Sequence, residues 1–180
     1  MLDALAKLDA DGDTVAAALL RNYPGLLAAL GPGFAAAHPA IAVLLEGQAA
    51  AAHVRALHAE RARGGGGGSE GLRRLLLAIV RDLRVVSILL ARQLARMRFA
   101  DRLPEDERRA LAALTRDIHA PLANRLGIWQ LKWELEDLAF RWLQPETYQR
   151  IARLLDEKRA DRERFIEDAM ARIRAALAEN

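Results

Sequence analysis

Between Ile128 and Trp142 the chain carries apolar residues on two faces of one helix, and this limits its fold more than any other feature. Ile128, Leu131, Leu135, Leu138 and Trp142 step by three and four and share one face. Trp129, Trp133 and Phe140 fall nearly opposite. Lys132 and Glu136 form one ridge between the stripes; Gln130, Glu134, Asp137 and Arg141 form the other. A helix of this kind is expected to pack on two sides, between layers or between domains. Burial inside a single domain would explain the same pattern.

The rest of the chain supplies helices to pack against. Hydrophobic residues make up 52% of 180 residues but aromatics only 5%, so Ala and Leu carry the apolar mass. Ala is the best helix former, whereas strands favour β-branched and aromatic side chains. No strand pattern longer than three residues is found, and the expected class is all-α. The length suffices for one domain with a real core. With no Cys, disulfides and thiol catalysis are excluded, in keeping with a reducing cytoplasm. No apolar run reaches the length of a membrane span, and the first residues lack the basic head and apolar stretch of a signal peptide. A net charge of +3 makes no electrostatic case for nucleic acid or membrane as a partner. The basic residues are mostly Arg; Lys7, Lys132 and Lys158 are the lysines.

Along the chain, residues 2–8 and 13–22 read as short helices separated by Asp11-Gly12-Asp13, with Asp13 or Thr14 as N-cap. Pro24-Gly25 and Gly31-Pro32-Gly33 punctuate the next stretch, and Ala-rich helices occupy roughly 35–62. Gly64 to Gly68 with Ser69 reads as a flexible loop, 64–69. It is not a phosphate loop, since no Gly-Lys-Ser/Thr comes after it and no strand precedes it. From Glu70 a central helix carries Leu72, Leu76, Ile79, Leu83, Val86, Leu90, Leu94 and Met97 on one stripe. Asp101 to Pro104 ends it. Another helix runs to about Asp117, then helices cover 128–142, Pro145 to about Leu155, and 158–178. In the last, Ile166, Met170, Ile173 and Leu177 form the expected core stripe, with Arg164, Asp168 and Arg172 paired outside.

The order of residues also resembles a known family. Ala120-Pro-Leu-Ala-Asn-Arg-Leu-Gly-Ile, Leu131-Lys-Trp-Glu-Leu-Glu-Asp-Leu and Tyr148-Gln-Arg-Ile-Ala-Arg-Leu-Leu-Asp-Glu-Lys-Arg are similar to the RelA/SpoT enzymes. These bacterial proteins make, and in some members destroy, (p)ppGpp in the stringent response. The resemblance runs from about residue 70 to the C-terminus. It implies an HD-domain-like multi-helix bundle with no sheet at 1–116, and at 117–180 a helical segment leading to a synthetase domain beyond this chain.

Active RelA/SpoT hydrolases hold a divalent cation with a His, a His-Asp pair and a distant Asp, and a Glu-Asp pair comes closely after the His-Asp. The equivalent helix here is Thr14-Val-Ala-Ala-Ala-Leu-Leu20. Arg21 stands for the His and Asn22 for the Asp of the pair, with Gly25 and Leu26 at the Glu-Asp. The first His falls upstream of Met1, as in a truncated chain. Leu89-Leu-Ala-Arg-Gln-Leu-Ala-Arg-Met-Arg98 resembles the stretch bearing the distant Asp. Arg92 takes that metal-binding position and Arg96 that of an Asn that contacts nucleotide. A guanidinium stays charged and has no acceptor, so it repels a cation. The histidines do not restore a site: His53 and His58 lie on different helix faces, and His38 and His119 lack nearby carboxylates in sequence.

The resemblance thus implies the degenerate N-terminal domain of a RelA-type GTP pyrophosphokinase. Such an enzyme moves a pyrophosphoryl group from ATP to the 3′ position of GTP or GDP, using Mg²⁺. No catalytic residue and no cofactor are expected in this chain. Its expected role is regulatory. Its expected partners are its own synthetase and C-terminal regulatory domains and, through the parent protein, the ribosome. Trp129, Trp133 and Phe140 are the candidate interdomain contact, with self-association of the isolated domain as another outcome. Two alternatives remain: a nucleotide-sensing pseudo-site of Arg21, Arg92 and Arg96, and a residual metal-dependent hydrolase.

Overall fold

The computed structural model describes residues 1–64 and 82–178, all-α with no strand among them. The helices are α1 (Leu2–Ala6), α2 (Gly12–Asn22), α3 (Pro24–Ala29), α4 (Phe34–Ala37), α5 (Pro39–Gly64), α6 (Arg84–Arg98), α7 (Glu105–Leu114), α8 (Ala120–Arg125), α9 (Trp129–Leu143) and α10 (Pro145–Ala178). The expected glycine loop, apart from Gly64 at the end of α5, lies outside the described residues, as does the helix stretch with Leu72, Leu76 and Ile79. Two compact units are present, Met1–Leu143 and Gln144–Asn180. The segment 117–143, grouped by sequence with the C-terminal part, packs inside the first unit.

Helix α6 is the centre of that unit. Val85, Val86, Ile88, Leu90, Ala91 and Leu94 are all buried, joined by Leu5 of α1, Ala17 and Ala18 of α2, Leu44 of α5, and Leu131 and Leu135 of α9. Its start differs from expectation. Asp82 accepts the Arg84 backbone N–H at 2.9 Å, and Leu83 is exposed at the N-cap instead of buried on the stripe. A second correction concerns α2, whose N-cap is Asp11 rather than Asp13 or Thr14: its carboxylate accepts the Thr14 N–H at 2.8 Å.

Between α7 and α8 the backbone widens into a π-helical turn, Thr115–His119. Pro121 lies just beyond it. It has no N–H for the carbonyl four residues back, and its ring would press on that carbonyl, so a regular α-turn is disfavoured there. Side chains stitch the widened turn: the Thr115 hydroxyl donates to the Leu111 carbonyl at 2.8 Å and accepts from the buried Gln93 amide of α6 at 2.7 Å. Helix α8 then ends in a Schellman motif. Ile128 N–H reaches the Ala123 carbonyl (2.9 Å) and Gly127 N–H that of Asn124 (3.1 Å), with Gly127 at φ +70°.

On α9, Leu131, Leu135 and Ala139 are buried, with Leu138 and Trp142 half-buried. The opposite stripe is not enclosed: Trp129 and Trp133 are 51% and 63% exposed, and Phe140 is half-buried. The second unit is one 34-residue helix, not two. No Gly or Pro interrupts Glu146 to Ala178, so nothing at the expected break near 156–157 ends the helix, and Arg159 pairs with Glu163 at 2.9 Å just beyond it. Ile166, Met170, Ile173 and Leu177 are exposed rather than core. A single helix offers its own unit no second face to bury them. Arg164 pairs with Asp161 at 2.7 Å.

Candidate functional site

Helices α2 and α6 run in the same direction. At their starts, Arg84 Nη1 donates to Asp11 Oδ2 at 2.8 Å. At their ends, Asn22 Nδ2 meets Met1 Sδ at 3.3 Å and Arg98 Nη1 donates to Asp3 Oδ2 at 3.2 Å, both beside α1. Arg21 therefore lies one turn past Ala17 on α2, and Arg96 one turn past Arg92 on α6, toward the same end of the pair. Arg21, Asn22, Gly25, Leu26 and Arg96 are exposed; Arg92 is half-buried.

Arg92 turns inward onto α5. Its Nη2 donates to Gln48 Oε1, and Gln48 Nε2 donates to the Ala17 carbonyl at 3.1 Å. Gln48 is 1% exposed. Sequence reasoning missed it, although a signal existed: Ile41, Leu44, Gln48 and Ala51 share a buried stripe at steps of three and four, with one polar member. Beside it, α5 and α6 approach closely at Gly47. A Cβ there would stand 2.7 Å from Val85 Cγ2.

These residues do not suit a divalent cation. Arg21 and Arg92 offer no lone pair, and a neutral Asn22 side chain is a weak ligand for an ion that favours carboxylate and imidazole. Among the described residues, no three His, Asp or Glu side chains group as ligands. His119 is buried with Nδ1 3.3 Å from the Leu114 carbonyl, His38 stacks on Phe34 at 4.8 Å, and His53 is exposed. The His58 side chain lies outside the described residues.

The electrostatics instead tie helices together. Arg98 grips Glu134 of α9 with two bonds, Nε to Oε1 at 2.5 Å and Nη2 to Oε2 at 2.8 Å. This holds the Glu134 carboxyl below its ordinary value and raises the already high guanidinium. Asp3 is lowered by the same guanidinium and by Lys7. Hydrogen bonding from Thr14, then the Arg84 guanidinium, holds the Asp11 carboxyl down to about 2.

The exposed stripe of α9 has its own geometry. The Trp129 and Trp133 rings are 6.4 Å apart, and Lys132 Nζ lies 3.9 Å from the Trp133 centroid and 5.2 Å from that of Trp129. Glu136 Oε2 accepts from the same ammonium at 3.3 Å.

The HD domain family model matches residues 1–129. GTP pyrophosphokinase of Escherichia coli strain K12 is 53% identical over 60% of this chain, and that of Haemophilus influenzae 49% over 62%. A Synechocystis relative, named probable guanosine-3′,5′-bis(diphosphate) 3′-pyrophosphohydrolase, is 48% identical over 61%. The matches span 14%, 15% and 14% of those relatives. With an HD-family match over most of its length and a helical core organised around α6, the chain belongs to the HD-domain proteins of the RelA/SpoT family.

Proposed function

We propose that this chain serves as the N-terminal regulatory domain of a GTP pyrophosphokinase and does not itself hydrolyse (p)ppGpp. The observation that carries the reading is Arg92. At the position where the family's hydrolases place a metal-binding Asp, a guanidinium is seated on Gln48, with Arg21 and Asn22 at the positions of the His-Asp pair. Pyrophosphoryl transfer from ATP to GTP or GDP, with Mg²⁺, would belong to a synthetase domain outside these 180 residues. The name shared by the E. coli and H. influenzae relatives supports that parent activity. The exposed Trp129 and Trp133 would dock on the synthetase, and the ribosome would be a partner of the parent protein. A cytoplasmic location fits this role; no described helix is long and apolar enough to cross a membrane.

The test is manganese-dependent release of pyrophosphate from ppGpp by the purified chain, together with metal analysis of protein prepared without chelator. No release and no stoichiometric ion are expected. Turnover with an ion held near residues 21 and 92 would overturn the reading and establish the residual hydrolase that the Synechocystis relative's name suggests. A nucleotide-sensing second reading is favoured by Arg21 and Arg96, exposed toward the same end of α2 and α6. It requires measurable heat on titration with ppGpp, GDP or GTP, diminished in Arg21→Ala and Arg96→Ala.

A further inference from the structure

A buried neutral amide rarely sits between a helix carbonyl and a guanidinium without structural consequence. Gln48 is 1% exposed in a stripe otherwise made of Ile41, Leu44 and Ala51. Its two ends are committed in opposite directions, Nε2 to the Ala17 carbonyl of α2 at 3.1 Å and Oε1 to Arg92 of α6. One side chain of α5 thus joins the two helices that flank it. The bond from Arg92 is charge-assisted, stronger than an ordinary neutral pair, and the low-dielectric surroundings strengthen it further. The same surroundings make either partner costly to strand.

We infer that Arg92 is a resident cation: its guanidinium, seated on Gln48 between α2, α5 and α6, is a built-in lock that closes this junction without a bound metal ion. The positive charge that a divalent cation would bring from solvent is supplied covalently by the chain, on a group whose N–H donors can bond a neutral amide oxygen. A guanidinium can fill this seat because its planar fork donates to a neutral oxygen, whereas a hard divalent ion favours carboxylates. The lock rests on the packing of three helices and not on the regulatory reading, so each can fail alone.

The lock predicts chemical rescue. In thermal melts of the 180-residue chain, Arg92→Ala should lower Tm by roughly 4–8 °C, because Gln48 Oε1 loses its donor. Low-millimolar guanidinium chloride, compared with equal sodium chloride, should then raise the Tm of Arg92→Ala. It should not raise that of the wild type or of the Arg92→Ala/Gln48→Ala double variant. Adding Mn²⁺ or EDTA should leave the wild-type Tm unchanged. A wild-type Tm for Arg92→Ala would overturn the lock, as would a guanidinium response shared by all three proteins. If Arg92→Ala does not fold, Arg92→Lys and Arg92→Met decide, since both leave the Gln48 bond to the Ala17 carbonyl in place. A seat that needs a cation should keep more of the Tm in Arg92→Lys, whose ammonium can still donate to Gln48 Oε1, than in Arg92→Met. Equal Tm losses in the two variants would overturn the lock.

Discussion

At the scale of single residues, most of the ties are made by charged groups at helix ends. Asp11 is one: it caps α2 through Thr14 and also receives Arg84 from the start of α6. Its carboxyl is held down to about 2, so the bound state favours the ionised form. A carboxyl depressed on folding contributes stability above its unfolded pKa, and that contribution is lost as pH falls through the folded value. Asp11→Ala should therefore lower stability by about 1 kcal/mol near neutral pH, the usual worth of an N-cap. The gap between variant and wild type should close as pH falls from about 4 toward 2. Urea denaturation across that range checks it; a gap constant down to pH 2 would mean that the cap carries no charge-dependent contribution. Sequence alone places the cap at Asp13 or Thr14 and Asp11 in the break before it, because residues of capping type crowd these four positions. Only the backbone turn at Asp11 distinguishes them.

Between elements, the close approach of α5 and α6 sets how the Arg92 junction is assembled. Gly47 permits it, since a Cβ at that position would stand 2.7 Å from Val85 Cγ2, well inside van der Waals contact. Val85 is 1% exposed and β-branched, so it has little room to yield. Gly47→Ala should cost about 1–3 kcal/mol by overpacking, although Ala is the better helix former by about 1 kcal/mol. The melting temperature decides which effect wins, and a rise would show that α5 and α6 can separate freely. Gln48 and Gly47 are adjacent; Gln48 is marked only by being the one polar member of its stripe, and the close approach at Gly47 is not legible in the sequence. In an Ala-rich helix many registers place small residues inward, so the buried face is poorly marked. Helix α9 is the opposite case. Its large Leu residues at steps of three and four mark the inward face correctly, and Glu134, on a ridge beside it, is where Arg98 of α6 attaches. The continuity of α10 is hidden in the sequence by its charged middle, yet charge alone does not end a helix that lacks Gly and Pro.

For the whole molecule, the all-α class and the burial of Val86, Leu90, Leu94 and Met97 are legible from periodicity. The extent of the first unit is not, since a boundary depends on which helices share a core rather than on any local signal. The two-faced helix expected at 128–142 is real but asymmetric: one face is core, and the other leaves Trp129 and Trp133 largely in solvent. Lys132 folds over both rings and covers part of that surface without removing its apolar character. Covering an indole of this kind is worth on the order of 2 kcal/mol by area. Under the regulatory proposal, that energy would drive docking on a synthetase domain in a longer protein, or self-contact in its absence. Trp133→Glu should leave the helical content and Tm of the 180-residue chain nearly unchanged while reducing its concentration-dependent self-association in sedimentation. In a polypeptide that includes the synthetase, the same substitution should change the rate of (p)ppGpp synthesis without touching a catalytic residue. Unfolding of Trp133→Glu would mean that the ring serves the core despite its exposure. An unaltered synthesis rate in the longer polypeptide would remove the tryptophan face from the regulatory proposal.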